Sequence, residues 1–384
     1  QLVSYDAAED KYLIRDAPVH ITDAPRFPHR GILIDTSRHF QPVAVLRSVI
    51  DSMMYAKLNT LHWHMVDSQS FPYASQARPA LSKGAYDPSL RYSVRDVENL
   101  VFYAQRRGVR VMVEIDTPGH AEAMCASGYD ICPSDTCLTP LNPASNETFE
   151  VLSDVLNEFT GSVQYGGLFP EDFVHLGGDE VNTDCWDKTP DIAAWMESQN
   201  MTASESYDYF VNRMAQITLG QERVPVNWDE VWTNFGTDLD PKTVVHVWRS
   251  KETLQDVVAH GYRALLSQGW YLDHLDDLWT DYYANDPMEG VTDPDQQKLV
   301  LGGEACMWGE TVDSSDIMST IWPRAGAVAE RLWSSADQTD TDDAEQRLAR
   351  FRCDTLHPRG IGAAPLQNTE ARVAPSGPGS CYDQ

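Results

Sequence analysis

Residues 173–181 read Phe-Val-His-Leu-Gly-Gly-Asp-Glu-Val, an apolar strand core followed by two glycines and two adjacent acids, Asp179 and Glu180. Glycines at a strand end let the backbone turn sharply and let a ligand approach closely. Adjacent acids are common on solvated surfaces. Behind an apolar run and Gly-Gly they look instead like the equipment of glycoside hydrolysis, where one carboxyl protonates the leaving oxygen and the other handles the developing oxocarbenium charge. Enzymes with a carboxylate nucleophile set their two carboxyls about 5 Å apart across the scissile bond, and inverting enzymes set them further apart. Sequence neighbours, with Cα atoms about 3.8 Å apart, struggle to reach opposite faces of a sugar from one strand end. A substrate that carries its own nucleophile, a 2-acetamido group, removes the difficulty, with Asp179 orienting the amide and Glu180 acting as general acid.

The elements that must position this pair follow a simple alternation. Short β-branched or apolar runs fall at 31–36, 60–66, 109–115, 172–176, 224–228, 243–248, 263–268 and 298–302. Between them lie stretches of helical period, such as Leu46, Val49, Ile50 and Met53, or Val97, Leu100, Val101 and Ala104. Gly108 and Gly261 stand where helix C-caps belong. Eight strand-helix units predict an α/β fold, a (β/α)8 TIM barrel, whose active site lies at the strand C-termini. Polar residues cluster there as required: Arg38, Asp67, Asp116, Asp179 with Glu180, Asp229 with Glu230, Arg249 and Glu310. The connection 272–297, rich in Asp, Trp and Tyr without a clear helical period, reads as a long functional loop. Residues 1–25 fit no barrel unit, whereas 26–384 read as the catalytic domain with a C-terminal helix and a disulfide-tied tail.

Composition narrows the partners. The 384 residues carry 29 basic and 58 acidic side chains, a formal charge of −29, which argues against nucleic acid and suits an acidic compartment. No run of 18 apolar residues is present, so no membrane span is expected. The chain begins at Gln1 without a leader, as a mature or trimmed form would. Of seven cysteines, Cys353 and Cys381 should staple the tail and Cys306, inside an apolar strand, should be free. Among Cys125, Cys132, Cys137 and Cys185 one bridge is expected, ending at Cys185. Sequons at Asn146 and Asn200 fit a secretory route. No cysteine pair offers a zinc site, and neither a metal nor another cofactor is expected.

The 175–181 segment, taken with Asp35-Thr36-Ser37-Arg38-His39, His62-Trp63-His64, Asp116-Thr117-Pro118-Gly119-His120 and the 302–310 run Gly-Gly-Glu-Ala-Cys-Met-Trp-Gly-Glu, resembles the β-N-acetylhexosaminidases of glycoside hydrolase family 20. The resemblance runs from about residue 26 to the end. It implies a barrel, retention of configuration and an oxazolinium intermediate, with Asp179 and Glu180 as catalytic pair. By the same resemblance Arg38 holds the 3- and 4-hydroxyls of the terminal sugar and Glu310 its 4- and 6-hydroxyls, the closed end an exo-enzyme needs. Asp67 and His120 form the polar relay behind the general acid, although some relatives have two acids where this chain reads Asp67-Ser68. Trp228, Trp248 and Trp308 enclose the acetamide, Tyr271 steadies its carbonyl, and Asp273 reaches the 6-hydroxyl. Glu180 is expected to be partly buried beside Asp179, and the enzyme to work at acidic to mildly acidic pH. The family also implies that residues 1–25 are the remnant of a small α/β domain or a linker, a secreted, lysosomal or vacuolar setting, and, in some branches, a homodimer.

The function expected is therefore removal of terminal N-acetylglucosamine or N-acetylgalactosamine from glycans or chitooligosaccharides. Four alternatives compete with it. A metal-dependent barrel hydrolase could use the two imidazoles of His62 and His64, but further ligands in bridging positions are missing. An inactive glycan-binding homologue on the same scaffold is countered by the intact acids, Arg38, Tyr271 and Glu310. An endo-chitinase would carry a DxxDxDxE strand, which is absent, while a disaccharide-releasing relative of the lacto-N-biosidase type stays open.

Overall fold

The computed structural model describes residues 3–6, 8–161, 167–367, 372, 374, 377 and 380–383. Strands β1 (Val3–Asp6) and β2 (Lys11–Ile14) form an antiparallel hairpin of their own. The next eight strands, β3 (His29–Asp35), β4 (Thr60–Val66), β5 (Arg110–Ile115), β6 (Phe173–His175), β7 (Val224–Trp228), β8 (Val244–Val247), β9 (Arg263–Leu266) and β10 (Val300–Met307), close into a parallel barrel in sequence order. All eight fall where the apolar runs predicted them. The last strand runs further than its apolar start suggested, through Gly302-Gly303-Glu304 to Met307.

Helices cover the outside with the predicted faces inward. Leu46, Val49, Ile50 and Met53 are buried on helix Val43–Tyr55, as are Val97, Leu100, Val101 and Ala104 on helix Val94–Gln105. A capping box between Ser93 and Asp96 starts the second of these, and Gly108 takes φ +72° beyond its end. The 272–297 connection differs from the long loop expected, since it contains short helices at Trp279–Ala284 and Pro294–Gln297. They are too short to display a 3.6-residue period. The connection is held down by Tyr282, whose hydroxyl donates to the Tyr271 carbonyl at 2.5 Å, and by Arg324, which reaches the carbonyls of Leu272 and His274.

Inside the barrel the side chains form layers. Met112, Val226, Val244 and Leu265 make an apolar layer, and Leu33, Trp228 and Cys306 make another beneath Trp248, Tyr271 and Trp308. A buried charged layer accompanies them. Glu304 lies 2.5 Å from His29 and 2.8 Å from His62, and Glu114 lies 2.5 Å from His64, 3.0 Å from His62 and 2.9 Å from His175. Gly31 is glycine because a Cβ there would stand 2.6 Å from the Glu304 side chain. Burial works against both carboxylates, but the surrounding imidazoles hold them well below the usual range. Burial likewise opposes the charge on His62, yet the two glutamates push it up to about 9. His175 and His246 are lowered by burial and stay neutral.

Three disulfides join Cys125 to Cys132, Cys137 to Cys185 and Cys353 to Cys381, and Cys306 is free and buried. The four central cysteines therefore make two bridges, not one. The seven-residue spacing of the first pair lets a single loop close on itself, a local link that the longer reach of Cys185 obscured. No helix among the described residues is long and apolar enough to cross a membrane.

The charged layer yields a stability test. The pKa of His62 in the folded chain lies above its unfolded value of about 6.5, so its contribution is complete below that value. It is lost as pH rises through about 9. Glu304→Ala, which leaves His62 and His29 without one carboxylate, should cost about 3–5 kcal/mol in urea denaturation at neutral pH and flatten the alkaline decline. A cost below about 1 kcal/mol would show that this layer does not hold the barrel together.

Candidate active site

The loops that leave β3, β4, β5 and β6 bring their charged side chains to one point at the barrel mouth. Asp35, the last residue of β3, fixes Arg38. Its Oδ1 accepts the backbone N–H of Ser37 at 2.9 Å and of Arg38 at 3.1 Å, and its Oδ2 accepts Arg38 Nη1 at 3.2 Å and the N–H of Gly309 at 3.0 Å. Nη1 of Arg38 also lies 2.8 Å from Asp67. Burial opposes the guanidinium charge, but Asp35 and Asp67 outweigh it and make Arg38 a permanent cation. Asp67 is itself buried, and His120, His64 and Arg38 together hold its carboxyl well below the usual range.

His120 links this group to the paired acids. Its Nδ1 stands 3.1 Å from Asp67 Oδ1, and its Nε2 stands 3.3 Å from Glu180 Oε2 and 3.6 Å from Asp179 Oδ2. Burial lowers the imidazole's affinity for a proton, but Asp116, Asp67 and Asp179 push it up to about 10, so His120 is an imidazolium at neutral pH.

The Gly-Gly turn after β6 explains how neighbouring acids acquire different surroundings. Gly177 and Gly178 have φ of +69° and +96°. A Cβ on Gly177 would fall 1.7 Å from Asp116 Oδ1, so the Asp116 carboxylate occupies the place of a side chain and accepts the Gly178 N–H at 3.0 Å. The Tyr207 hydroxyl donates to the Gly178 carbonyl from the helix Ala203–Gly220. Glu180 follows at φ +51° and His120 sits at φ +45°, a left-handed conformation that costs a non-glycine residue about 1 kcal/mol or more. The Asp179 side chain is 12% exposed and that of Glu180 is 62% exposed. The partial burial expected of Glu180 thus falls on Asp179, because the turn sends the two side chains in different directions. Burial, then the charge of Asp116, raises the Asp179 carboxyl well above the usual range.

Aromatic residues complete the mouth. Trp228 is fully buried, its indole N–H donating to Glu114 Oε1 at 2.9 Å, so it forms a floor where a wall was expected. The Trp308 ring stands 5.9 Å from Trp228 and 5.2 Å from the Arg38 guanidinium. The Tyr271 hydroxyl meets the Trp308 indole, and its ring lies 6.2 Å from Trp248. Trp248 in turn donates to Glu230 Oε2 at 2.8 Å. Glu310, half exposed, reaches within 3.9 Å of Arg38 Nε. Asp273 is raised by burial. Arg38 Nε, Asp179 Oδ1 and Asp273 Oδ1 are buried and meet no hydrogen-bond donor or acceptor of the required kind among the described residues. Buried polar atoms left unmatched in this way are expected where a polar ligand completes the pairing.

All eleven residues singled out in the sequence thus face the same mouth. Arg249, also at a strand end, is instead paired with Asp229 at 2.9 Å. Roles for Asp35, His64, Glu114, Asp116, Tyr207 and Glu230 were not read from the sequence. Four of these lie in the quoted motifs or among the strand-end acids, and Glu114 stands out as an acid inside the apolar run Val-Met-Val-Glu-Ile. Tyr207, on an amphipathic helix, carries no signal.

Comparison with known proteins agrees with this geometry. The profile described as "Glycosyl hydrolase family 20, catalytic domain" matches residues 27–336. The chain is 47% identical over 390 residues to "Beta-hexosaminidase 1" of Arabidopsis thaliana, covering all of this chain and 71% of that one. It is 42% identical over 368 residues to "Beta-hexosaminidase subunit alpha" of Bos taurus, covering 90% of this chain and 68% of that one. The solved chitobiase of Flavobacterium johnsoniae superposes with a TM-score of 0.80 at 34% identity, over 91% of this chain and 54% of the chitobiase. The chain belongs to glycosyl hydrolase family 20 and is a glycoside hydrolase of the β-N-acetylhexosaminidase type.

Proposed function

We propose that the chain removes terminal β-linked N-acetylhexosamine from the non-reducing end of glycans or chitooligosaccharides, with the sugar's acetamide oxygen as nucleophile and overall retention. The observation that carries this reading is the divergence of two adjacent acids from one strand end: Asp179 enclosed near Tyr271, Glu180 largely exposed. Glu180 donates a proton to the glycosidic oxygen while the acetamide oxygen attacks the anomeric carbon, closing an oxazolinium ring. Asp179 accepts the acetamide N–H and balances the charge that develops on that nitrogen. Tyr271 donates to the acetamide oxygen and fixes the direction of attack, while Trp228, Trp248 and Trp308 exclude water from the ring as it forms. Water then attacks the anomeric carbon with Glu180 as base, restoring the acid.

The closed end of the site supports exo action. Arg38, held rigid by Asp35 and Asp67, presents Nε toward Glu310 across 3.9 Å, too far for a direct hydrogen bond and suited to a bridging sugar hydroxyl. Asp273 offers an unpaired oxygen for the 6-hydroxyl. His120, charged through the acid and neutral range, connects Asp67 to Glu180 and keeps the acid oriented. Three disulfides and the charge of −29 support a working place in an oxidising, acidic setting, secreted, lysosomal or vacuolar.

Two measurements test the reading. Glu180→Gln should lower kcat/KM by about 100-fold or more on oligosaccharides and by much less on activated aryl glycosides, whose leaving oxygen needs no proton. Equal loss on both would remove Glu180 from the acid role. Aryl glycosides with a 2-hydroxyl in place of the 2-acetamido group should be cleaved at least about 1,000-fold more slowly. Comparable rates, or a glycosyl adduct trapped on a side chain, would exclude an acetamide nucleophile.

A further inference from the structure

Glu230 is an acid at the end of β7 to which the mechanism above gives no task, and it holds the one pocket indole that packing leaves least determined. Trp228 is fully buried with its N–H taken by Glu114. Trp248 follows the last residue of β8 and is only half-buried, resting on the layer of Leu33, Trp228 and Cys306 with the Tyr271 ring centroid 6.2 Å away. An indole at such a margin can change rotamer unless its N–H is held. That N–H donates to Glu230 Oε2 at 2.8 Å, and the Glu230 side chain is itself only 13% exposed. Glu230 belongs to the short helix Asp229–Phe235, which begins immediately after Trp228. The same helix grips the residue beside the indole: Asp229 accepts Arg249 Nε at 2.9 Å, and Thr233 Oγ1 accepts Arg249 Nη2 at 2.7 Å. Arg249 Nε lies 3.8 Å from Glu230, beyond hydrogen-bonding distance, so Asp229 holds the guanidinium and Glu230 the indole. One segment thus carries the pocket floor at its start and ties down the wall opposite.

We propose that Glu230 is a positioning residue for Trp248 and thereby sets which N-acyl group the enzyme accepts. With the indole held, the space between Trp228 and Trp248 closes on a methyl group, and a longer acyl chain meets the ring. This rests on the acetamide mechanism proposed above and deepens it, assigning selectivity for the acyl group to a side chain that acts through the indole. Removal of the acceptor leaves the Trp248 N–H unpaired beside the mouth, where a turn of the side chain toward water satisfies it and opens the pocket. A site closed around an acyl group distinguishes each added methylene by about 10-fold or more, and an opened one does not.

The test compares Glu230→Gln, which keeps an oxygen for the indole, with Glu230→Leu, which removes the acceptor at similar volume. For each, kcat/KM is measured on aryl glycosides of N-acetylglucosamine and N-butanoylglucosamine that share one activated leaving group. The wild type should prefer the N-acetyl sugar by about 100-fold or more, because two added methylenes exceed the enclosure. Glu230→Leu should reduce that preference by about 10-fold or more, whereas Glu230→Gln should keep it within about 3-fold of wild type. A merely structural loss lowers both rates together and leaves their ratio untouched. That result, a Gln variant as unselective as Leu, or a wild type that does not discriminate overturns the proposal. In a Trp248→Phe background, which offers no N–H, exchanging Glu230 for Gln or Leu should change the ratio by less than about 3-fold, and a further large fall there would mean that Glu230 acts elsewhere and overturns its link to the indole. If Glu230→Leu does not fold, Glu230→Asp decides: it keeps the charge, withdraws the acceptor by one carbon and should show the same fall in preference, and an unchanged ratio overturns the proposal. The comparison of 2-acetamido with 2-hydroxy sugars is made on the wild type, so failure of the acetamide mechanism is seen separately.

Discussion

Glu114 has to stay ionised where water does not reach, and the arrangement of the mouth follows from how it does so. Its two oxygens are surrounded by His62, His64, His175 and the indole N–H of Trp228. A carboxylate in such a place is tolerated only when hydrogen bonds and opposite charge replace its hydration. The same partners face outward to other tasks. His64 passes the interaction to Asp67 at 2.7 Å, Asp67 holds Arg38 and His120, and Trp228 is fixed as the pocket floor. An unbroken chain of charge contacts therefore runs from Glu304, through His62 and Glu114, to Glu180 at the opening. The interior of this barrel is a charged frame for the site as much as a packed core.

Strand β6 makes the arrangement demanding. It has three residues and meets β5 through the single backbone pair Glu114–His175. Regular sheet pairing alone cannot aim a side chain that lies four residues beyond such a short strand. The aiming is done by Asp116 and Tyr207 on either side of the Gly177-Gly178 turn, one receiving an N–H and the other giving an O–H. Glu180, left-handed two residues after Gly178, follows directly on this fixed turn, which sets its position although its backbone conformation is intrinsically disfavoured.

What the sequence made legible was whatever local period or local chemistry encodes. Eight apolar runs, the inward faces at Leu46–Met53 and Val97–Ala104, and the acids at strand ends each depend on neighbours in the chain. Contacts made across the barrel were not legible. Nothing local distinguishes Tyr207 from any half-buried helical tyrosine, or says that Glu114 and Glu304 will share His62. The exposure of Glu180 was missed for a related reason: a left-handed residue after two glycines reverses the direction that strand alternation would give. The second bridge of the Cys125 group was missed because a loop closure depends on the path of the loop and not on the count of cysteines.

The bridge from Cys137 to Cys185 joins the loop that follows β5, which carries His120, to the short helix after Glu180. Trp186, beside Cys185, donates its indole N–H to the carbonyls of Pro140 and Leu141, and the Leu141 N–H returns to the Pro118 carbonyl, two residues before His120. The two loops are thereby one body at this edge of the mouth. That matters because the contact between His120 and Glu180 is made by residues in unfavourable backbone conformations on separate loops, with one partner largely in water. An exposed ion pair alone contributes at most about 1 kcal/mol and would not hold such loops in register. Covalent and buried indole contacts set the loop positions first, and the charge contact then needs only to orient a side chain.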